Sequence, residues 1–430
     1  MSNTSKHALS TIWLIPDVVL SISSLHWTRV LPAVTVVMIT VILAACSVVN
    51  RPEGWAGAVA LNEVVYTGTK EGELVALNRV NGEKLWHFEL LGDENYQAIY
   101  GTPTLSGDIL YLSGYDGHLY VFDVSKSKNP MDWYDPILLD SRKVGDPLSD
   151  DVIPIVTSPA IVDEDCSDSE DGDFPCQLLM IGSDDGNVYT LKVTLDSKGG
   201  AYIQEEKQFP TGGKVWSDPI IQDGVAYFGS LDHKLYAVGV DTGRLIWNQP
   251  FETGGGVVAS PTLHRGKILF GSFDGNFYAL DSGTGQELWR FSGADNWYWA
   301  AAKVAGDLIL APSLDGKLYA LDANTGSLKW VVKTDKPIVN SPAIISDFVV
   351  FASDDGRLRV VSLTDGDLEG ACTVEEKIRT PLTVDDRVIY LGAGDNTIRA
   401  FSVGSSGDVD EEWIYFADED KRNATRGVAC

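Results

Sequence analysis

The feature that most constrains the fold of this chain is a fragment that recurs along most of its length. The fragment has the form aromatic-Gly-Ser-x-Asp-Gly-x-Leu-Tyr-Ala-Leu-Asp, and a clear copy runs from Phe270 to Asp281. Eight copies align on one turn residue: Gly72, Gly117, Gly186, His233, Gly275, Gly316, Gly356 and Asn396. Neighbouring turn residues lie about 40 to 47 positions apart, with one longer spacing between Gly117 and Gly186. Because one such unit cannot bury both of its faces alone, this period predicts an all-β, eight-bladed β-propeller of four-stranded antiparallel blades.

A single repeat contains four short apolar runs separated by turn residues. In the fifth copy these runs predict strands at Val257–Leu263, Lys267–Ser272, Asn276–Leu280 and Gln286–Phe291. The Asp-Gly between the second and third runs suits a tight hairpin, because glycine accepts a positive φ without steric cost. The His and Asn that replace this glycine in two copies tolerate the same backbone region better than most residues.

Tryptophan and proline recur at fixed distances from the turn residue. A Trp follows it by fourteen positions in four copies, at Trp86, Trp247, Trp289 and Trp330. A Pro precedes it by fourteen positions in four copies, at Pro103, Pro219, Pro261 and Pro342. Together with the Gly-Ser-x-Asp-Gly-x-Leu-Tyr-Ala-Leu-Asp fragment, these elements resemble the pyrroloquinoline-quinone-type propeller repeat over roughly residues 54 to 416.

The resemblance implies a fold more strongly than a function. The repeat type occurs in quinoprotein dehydrogenases and in the BamB-like envelope lipoproteins, so an enzyme and a binding module are both implied. The quinoprotein dehydrogenases carry a vicinal Cys-Cys pair over their cofactor, and this sequence has no adjacent cysteines. We therefore expect no enzymatic activity, no pyrroloquinoline quinone cofactor and no catalytic residue.

The N-terminal segment has the features of an export signal. Arg29 precedes the apolar run Val30–Ala45, and Leu43-Ala44-Ala45-Cys46 resembles a bacterial lipobox. A basic residue, a run of this length and small residues before the cleavage point are typical of secretory signals. We expect acylation of Cys46 and a mature lipoprotein facing the periplasm or the cell exterior; an uncleaved membrane anchor is the alternative. The predicted organisation is a signal over residues 1–45, a linker over 46–53, the propeller over 54–416 and a tail over 417–430.

The net charge of −28, with an isoelectric point near 4.4, argues against nucleic acid or anionic lipid as a partner. We expect a monomeric propeller that contacts envelope proteins and reaches the membrane through its lipid anchor alone.

Four cysteines remain besides Cys46, an even number that permits two disulfides in an exported domain. Cys166 and Cys176 flank one loop and are expected to pair, and Cys372 with Cys430 would hold the tail on blade seven. A zinc site is the competing interpretation, but no Cys-x-x-Cys motif supports it. The loop Asp163–Asp173 is dense in carboxylates, which suit hard cations, but it lacks the spacing of an EF-hand.

One repeat position is predicted to form a ring near the start of the first strands. Three residues before the Pro position, the eight copies carry Trp55, Tyr100, Val156, Trp216, Val258, Trp299, Val339 and Ile378. Two interpretations remain open for its aromatic members Trp55, Tyr100, Trp216 and Trp299. They form a binding rim at one mouth of the central channel, or they wedge between neighbouring blades as core.

The sequence thus favours a lipid-anchored, non-enzymatic envelope propeller that acts as a protein-binding or scaffold module. Two alternatives are kept: a quinoprotein resembling the dehydrogenases that depend on pyrroloquinoline quinone, and a surface protein that binds cations or carbohydrate.

Overall fold

The computed structural model describes Gly54 and Cys430 together with residues 56–92, 96–125, 136–145, 151–162, 176–196 and 199–417. The predicted signal, Cys46, the linker, Trp55, Cys166, the acidic loop 163–173 and residues 418–429 of the tail lie outside this part of the chain. No helix within these ranges is long and apolar enough to cross a membrane.

The described chain forms eight antiparallel sheets, which confirms the eight-bladed β-propeller. Every sheet is built from strands that follow one another in sequence, and no sheet combines strands from the two ends of the chain. Blade one begins at Ala58 and blade eight ends at Phe416, so the ring closes without exchange of a strand, as predicted.

The first four blades comprise strands β1 to β17. Their bounds are β1 Ala58–Leu61, β2 Val64–Gly68, β3 Glu73–Asn78 and β4 Lys84–Glu89 in blade one; β5 Thr104–Ser106, β6 Ile109–Ser113, β7 His118–Asp123 and β8 Ile137–Lys143 in blade two; β9 Ala160–Val162, β10 Cys176–Gly182, β11 Asn187–Leu195 and β12 Ala201–Pro210 in blade three; and β13 Ile220–Gln222, β14 Val225–Ser230, β15 Lys234–Gly239, β16 Arg244–Leu245 and β17 Phe251–Glu252 in blade four. In blade four the outer strand is interrupted, and its two parts, β16 and β17, both pair with β15.

The last four blades each have four strands. Their bounds are β18 Thr262–His264, β19 Lys267–Gly271, β20 Phe277–Asp281 and β21 Glu287–Phe291 in blade five; β22 Lys303–Ala305, β23 Leu308–Pro312, β24 Lys317–Asp322 and β25 Leu328–Lys333 in blade six; β26 Ala343–Ile345, β27 Phe348–Ala352, β28 Arg357–Ser362 and β29 Leu368–Thr373 in blade seven; and β30 Thr383–Asp385, β31 Val388–Ala393, β32 Thr397–Val403 and β33 Val409–Phe416 in blade eight.

The first strand of a repeat is shorter than the apolar pattern predicts. In blade five the structure forms β18 only over Thr262–His264. The residues before it bond to the preceding blade: the Val257 N–H donates to the Ser230 carbonyl at 3.0 Å. Pro261 has no N–H to contribute to a ladder. The apolar run therefore predicts burial correctly and strand length incorrectly.

The core lies between the blades. Eight hydrophobic clusters each join two neighbouring blades, including one that joins blade eight to blade one. The second and third strands are therefore buried on both faces, as in β6 and β7, whose central residues are inaccessible to solvent. This two-sided burial explains their almost continuous apolar sequence.

In blades four, five, six and eight, a tryptophan of the outer strand bonds to the next blade. The indole N–H of Trp247 donates to the Ser282 carbonyl at 2.9 Å, and its ring covers Gly285. The same arrangement joins Trp289 to the turn of blade six and Trp330 to that of blade seven. At the seam, defined here as the interface between blades one and eight, Trp413 donates to the Arg79 carbonyl at 2.9 Å.

Candidate functional site

The residues just before the first strands encircle the central axis. First strands of neighbouring blades contact one another, which identifies them as the innermost strands. Side-chain oxygens there accept backbone N–H groups of the preceding blade: Thr102 accepts from Gly57, Ser158 from Thr102, Asp218 from Ser158 and Ser260 from Asp218, at 2.7 to 3.2 Å. These bonds fix the backbone from which the predicted ring of side chains projects.

Trp216 and Trp299 meet across an intervening blade. Their ring centroids are 6.2 Å apart, although Trp216 belongs to blade four and Trp299 to blade six. Side chains of blades that are not neighbours can approach each other only toward the axis of the ring. Both tryptophans are partly exposed. The contact between the two rings therefore lies on the axis side of blade five, where the sequence predicts the ring of side chains.

Trp216 is held in place by a charged pair. Its indole N–H donates to Asp184 Oδ1 at 2.5 Å, and Lys214 Nζ donates to Asp184 Oδ2 at 2.6 Å. The Lys214 ammonium also lies 5.7 Å from the centroid of the Trp216 ring. Asp184 is nearly buried and its charge is compensated, so the orientation of Trp216 is set by hydrogen bonds in addition to packing.

Trp299 belongs to a stack of three aromatic rings. Phe273 lies between Trp297 and Trp299, with centroids 4.6 and 5.7 Å away and interplanar angles of 17° and 18°. Trp297 is 47% exposed, so the stack presents a flat aromatic face to solvent. Phe273 is the variable residue of Gly-Ser-x-Asp-Gly and was not predicted from the sequence. A comparison of this variable position among the eight copies could have identified Phe273 as an aromatic residue there.

Tyr100 continues the ring on the other side of Trp216. Its ring lies 5.3 Å from that of Tyr115, which occupies the same variable position as Phe273. Burial raises the pKa of the Tyr115 hydroxyl, and the negative charge of Asp184 raises it further. Tyr100, Tyr115, Asp184 and Trp216 therefore form one continuous part of the mouth, whereas Trp55 lies outside the described residues.

In the last copy, the predicted ring residue Ile378 is wrong. Ile378 is fully buried within the core cluster between blades seven and eight. The Gly394 N–H donates to the Lys377 carbonyl as the Asp354 N–H donates to the Pro337 carbonyl, which makes Ile378 equivalent to Ile338. The copy is one residue shorter before its proline, so Arg379 takes the ring position instead. Its guanidinium binds Asp354 through two hydrogen bonds of 2.9 and 2.6 Å.

Arg379 also borders a cavity of about 190 Å³ at the seam. Polar and charged residues from blades one and eight line it, among them Lys70, Glu376, Lys377, Asn396 and Thr397. Charged side chains therefore border the mouth at the seam, whereas aromatic rings border it around Trp216.

Asp218 is a carboxylate within the ring of inter-blade hydrogen bonds. Its Oδ1 accepts the Ser158 N–H at 2.7 Å and its Oδ2 accepts the Ser158 hydroxyl at 3.3 Å. Burial raises the pKa of Asp218 to about 6, against the lowering effect of these hydrogen bonds. The other copies with a proline carry Ser or Thr at this position, and Asp218 was not predicted from the sequence.

Three cysteines are described, Cys176, Cys372 and Cys430, and none of them belongs to the ring. The structure joins Cys372, in the outer strand β29, to Cys430 in a disulfide. Cys176 begins β10 and is disulfide-bonded, while its expected partner Cys166 lies outside the described residues. The described cysteines are thus all disulfide-bonded, and no two of them are adjacent in the sequence.

Comparisons with known proteins agree with this architecture. Residues 45–162, 184–296 and 274–369 match the family described as outer membrane protein assembly factor BamB. The fold is similar to that of BamB from Moraxella catarrhalis, with a TM-score of 0.61, 14% identity, and coverage of 81% of this chain and 94% of that chain. It is equally similar to the computationally designed protein Ika8, with a TM-score of 0.61, 15% identity, and coverage of 82% and 97%. No curated protein matches the sequence significantly.

Proposed function

This chain belongs to the family described as outer membrane protein assembly factor BamB, and from that membership we propose that it is a lipid-anchored, non-enzymatic scaffold of the cell envelope. In this proposal the propeller binds an envelope protein through the channel mouth. The observation that carries it is the contact between Trp216 and Trp299 across blade five, extended by the stack on Phe273.

The chemistry of the mouth suits a protein partner. Binding energy at protein interfaces concentrates in a few Trp, Tyr and Arg anchors that lie close together. The mouth offers Trp216, Trp299, Tyr100 and Arg379, and each of them contacts another side chain at the mouth. Preorganised side chains lose little conformational entropy when a partner binds, which favours affinity.

Truncation of either tryptophan tests the proposed surface. We expect Trp216→Ala and Trp299→Ala each to weaken partner binding by about 2 kcal/mol, or roughly thirtyfold, the loss typical of a hot spot. Affinity would be measured with the envelope protein that copurifies with the native lipoprotein, titrated against each purified variant. Tyr202→Ala is the matched control, since Tyr202 is an aromatic residue that is 61% exposed on the outer strand β12.

Stability must be measured on the same variants. Asp184 keeps its ion pair with Lys214 when Trp216 is truncated, so no nearly buried charge is left alone. We expect melting temperatures close to that of the wild type. If both variants unfold, the two tryptophans belong to the hydrophobic core. If the variants fold and their affinity for the partner is unchanged, the binding surface lies elsewhere on the propeller.

The lipid anchor has its own test. We expect Cys46→Ser to release the protein from the membrane fraction, because one acylated cysteine carries all the chains of a lipoprotein and a single chain alone binds only marginally. Fractionation followed by mass spectrometry of the N-terminus is the measurement. An intact, unacylated segment 1–46 in the membrane-bound wild type would contradict the anchor.

Carbohydrate binding is a second candidate, favoured by the flat stack of Trp297, Phe273 and Trp299. Aromatic faces of this kind stack on apolar faces of ligands. A glycan array probed with the wild type and Trp297→Ala separates the two functions, because Trp297 is the most exposed ring of the stack. Dye reduction with an alcohol after addition of pyrroloquinoline quinone and calcium would contradict both.

A further inference from the structure

Three potential metal ligands lie together on the outer half of blade one. Glu73 begins β3, and His87 and Glu89 belong to β4. The antiparallel register places Glu73 directly opposite Glu89, with His87 two residues earlier on the same strand. Because side chains alternate along a strand, all three project from the same face of the sheet.

The geometry brings one ligand atom of each residue within 4.8 Å of the others. These atoms are a ring nitrogen of His87 and one carboxylate oxygen from each glutamate. The two strands are neighbours in a four-stranded blade, so the ligands are held by backbone hydrogen bonds and not by a loop. A site on such elements needs little reorganisation to receive an ion.

The described part of the chain supplies no ion-pair partner to this cluster. Among the described residues, neither glutamate side chain forms an ion pair or hydrogen bond, and the His87 ring forms none either. Like charges directly opposite on paired strands destabilise a sheet, and an intervening cation reverses the sign of that interaction. The net charge of −28 raises the local concentration of cations around the whole molecule.

We propose that Glu73, His87 and Glu89 bind a divalent transition-metal ion of the zinc class. One imidazole nitrogen with two carboxylates suits Zn²⁺, whereas Mg²⁺ and Ca²⁺ prefer oxygen ligands only. Three protein ligands leave at least one coordination position for water or for a group supplied from outside. The site lies on the outer strands of blade one and is separate from the channel mouth, so it does not depend on the scaffold function.

The test uses untagged, full-length protein in detergent, first stripped of metal with a chelator. Isothermal titration with ZnCl₂ is expected to show one site that His87→Ala and Glu89→Gln each weaken by about tenfold or more. Loss of a partner that only orients a ligand already costs roughly 10- to 100-fold in metal affinity, and a ligand itself matters at least as much. MgCl₂ at the same concentrations is expected to give no comparable site.

Two control variants separate ligation from general charge effects. His233→Asn removes an imidazole from a turn where asparagine is tolerated, since His233 has a φ of 71°. Glu83→Gln removes an exposed carboxylate of the same blade that lies outside the cluster. Both are expected to keep wild-type zinc affinity.

The position of the ion would be read from anomalous scattering at the zinc absorption edge, with a peak expected between the three side chains. Zinc binding that survives both His87→Ala and Glu89→Gln, or a peak located elsewhere, overturns the proposal. Absence of any zinc site in the stripped, folded wild-type protein overturns it as well, and identifies the cluster as a solvated group of charges.

Discussion

Replacing Trp413 with alanine is expected to destabilise the propeller by about 3 to 5 kcal/mol, the usual cost of truncating a buried tryptophan. Trp413 is 7% exposed and lies in the cluster that joins blade eight to blade one. Its indole N–H donates to the carbonyl of Arg79, a residue 334 positions earlier in the sequence. Loss of this contact removes packing and a hydrogen bond from the seam, where no covalent strand connection joins the blades.

Equilibrium unfolding in urea, followed by tryptophan fluorescence and circular dichroism, measures the effect. Trp297→Ala is the matched control, because the same side chain is removed from a position that is 47% exposed. A loss at Trp413 no larger than at Trp297 would show that the seam contributes little to stability. Gly82→Ala tests the same contact from the side of blade one. The Cβ added at residue 82 would lie 2.4 Å from Trp413 Cε3, and the φ of 69° at this residue disfavours any side chain. We expect that variant to be destabilised as well.

The architecture was predictable because the repeat carries it. One turn residue every 40 or so positions determines blade number, and the alternation of apolar runs determines burial. The individual contacts that join the blades could not be predicted, because their partners are distant in sequence and differ between blades. Trp289 bonds to Ala323, 34 residues later, whereas Trp413 bonds to Arg79, 334 residues earlier. A repeated tryptophan indicates a repeated contact, but only the folded ring shows that its partner is the turn of the next blade.

The most regular part of the motif serves the fold. In five blades the turn aspartate accepts a hydrogen bond from the tyrosine four residues later, as Asp274 does from Tyr278 at 2.6 Å. Burial raises the pKa of Asp274, but the bonds from Tyr278 and from the Asn276 N–H outweigh it and lower the pKa overall. In blades seven and eight an arginine replaces the tyrosine, and Arg359 pairs with Asp355. These repeated pairs stabilise the hairpins. The most regular residues of the motif therefore do not indicate where the functional site lies.

The candidate site was predictable only in part, because it depends on departures from the repeat. Trp216 and Trp299 were identified from one repeat position. Phe273 was missed because it lies at a variable position, which becomes informative only when its residues are compared among the copies. Alignment on proline placed Ile378 in the ring, and a one-residue shortening moved Arg379 there. Glu73, His87 and Glu89 could not be grouped without the strand register, because a register shift between Ala76 and Leu77 changes which residues of β3 and β4 lie opposite each other.

Asp218 gives the second large effect, in the dependence of stability on pH. Its pKa is raised from 3.8 to about 6 in the folded protein. The folded state therefore binds the proton more tightly than the unfolded state does. The contribution of Asp218 to the free energy of unfolding is greatest at pH values below the pKa that this group has in the unfolded chain. That contribution is lost as the pH rises from about 4 to about 6 and amounts to roughly 2 to 3 kcal/mol, since each pKa unit corresponds to about 1.4 kcal/mol.

Asp218→Asn is expected to remove this pH dependence and to stabilise the protein at pH 7 by about 2 to 3 kcal/mol relative to the wild type. The asparagine amide oxygen can still accept the Ser158 N–H, and its NH₂ group can donate to the Ser158 hydroxyl, so the ring of inter-blade bonds survives. Urea unfolding of both proteins between pH 4 and pH 7 gives the difference directly, with other carboxylates cancelling in the comparison. Asp223→Asn, at an exposed turn of the same blade, is the control and is expected to follow the wild type. Parallel curves for Asp218→Asn and the wild type would mean that this carboxylate is solvated at the axis, because only a carboxylate shielded from water resists ionisation in this range.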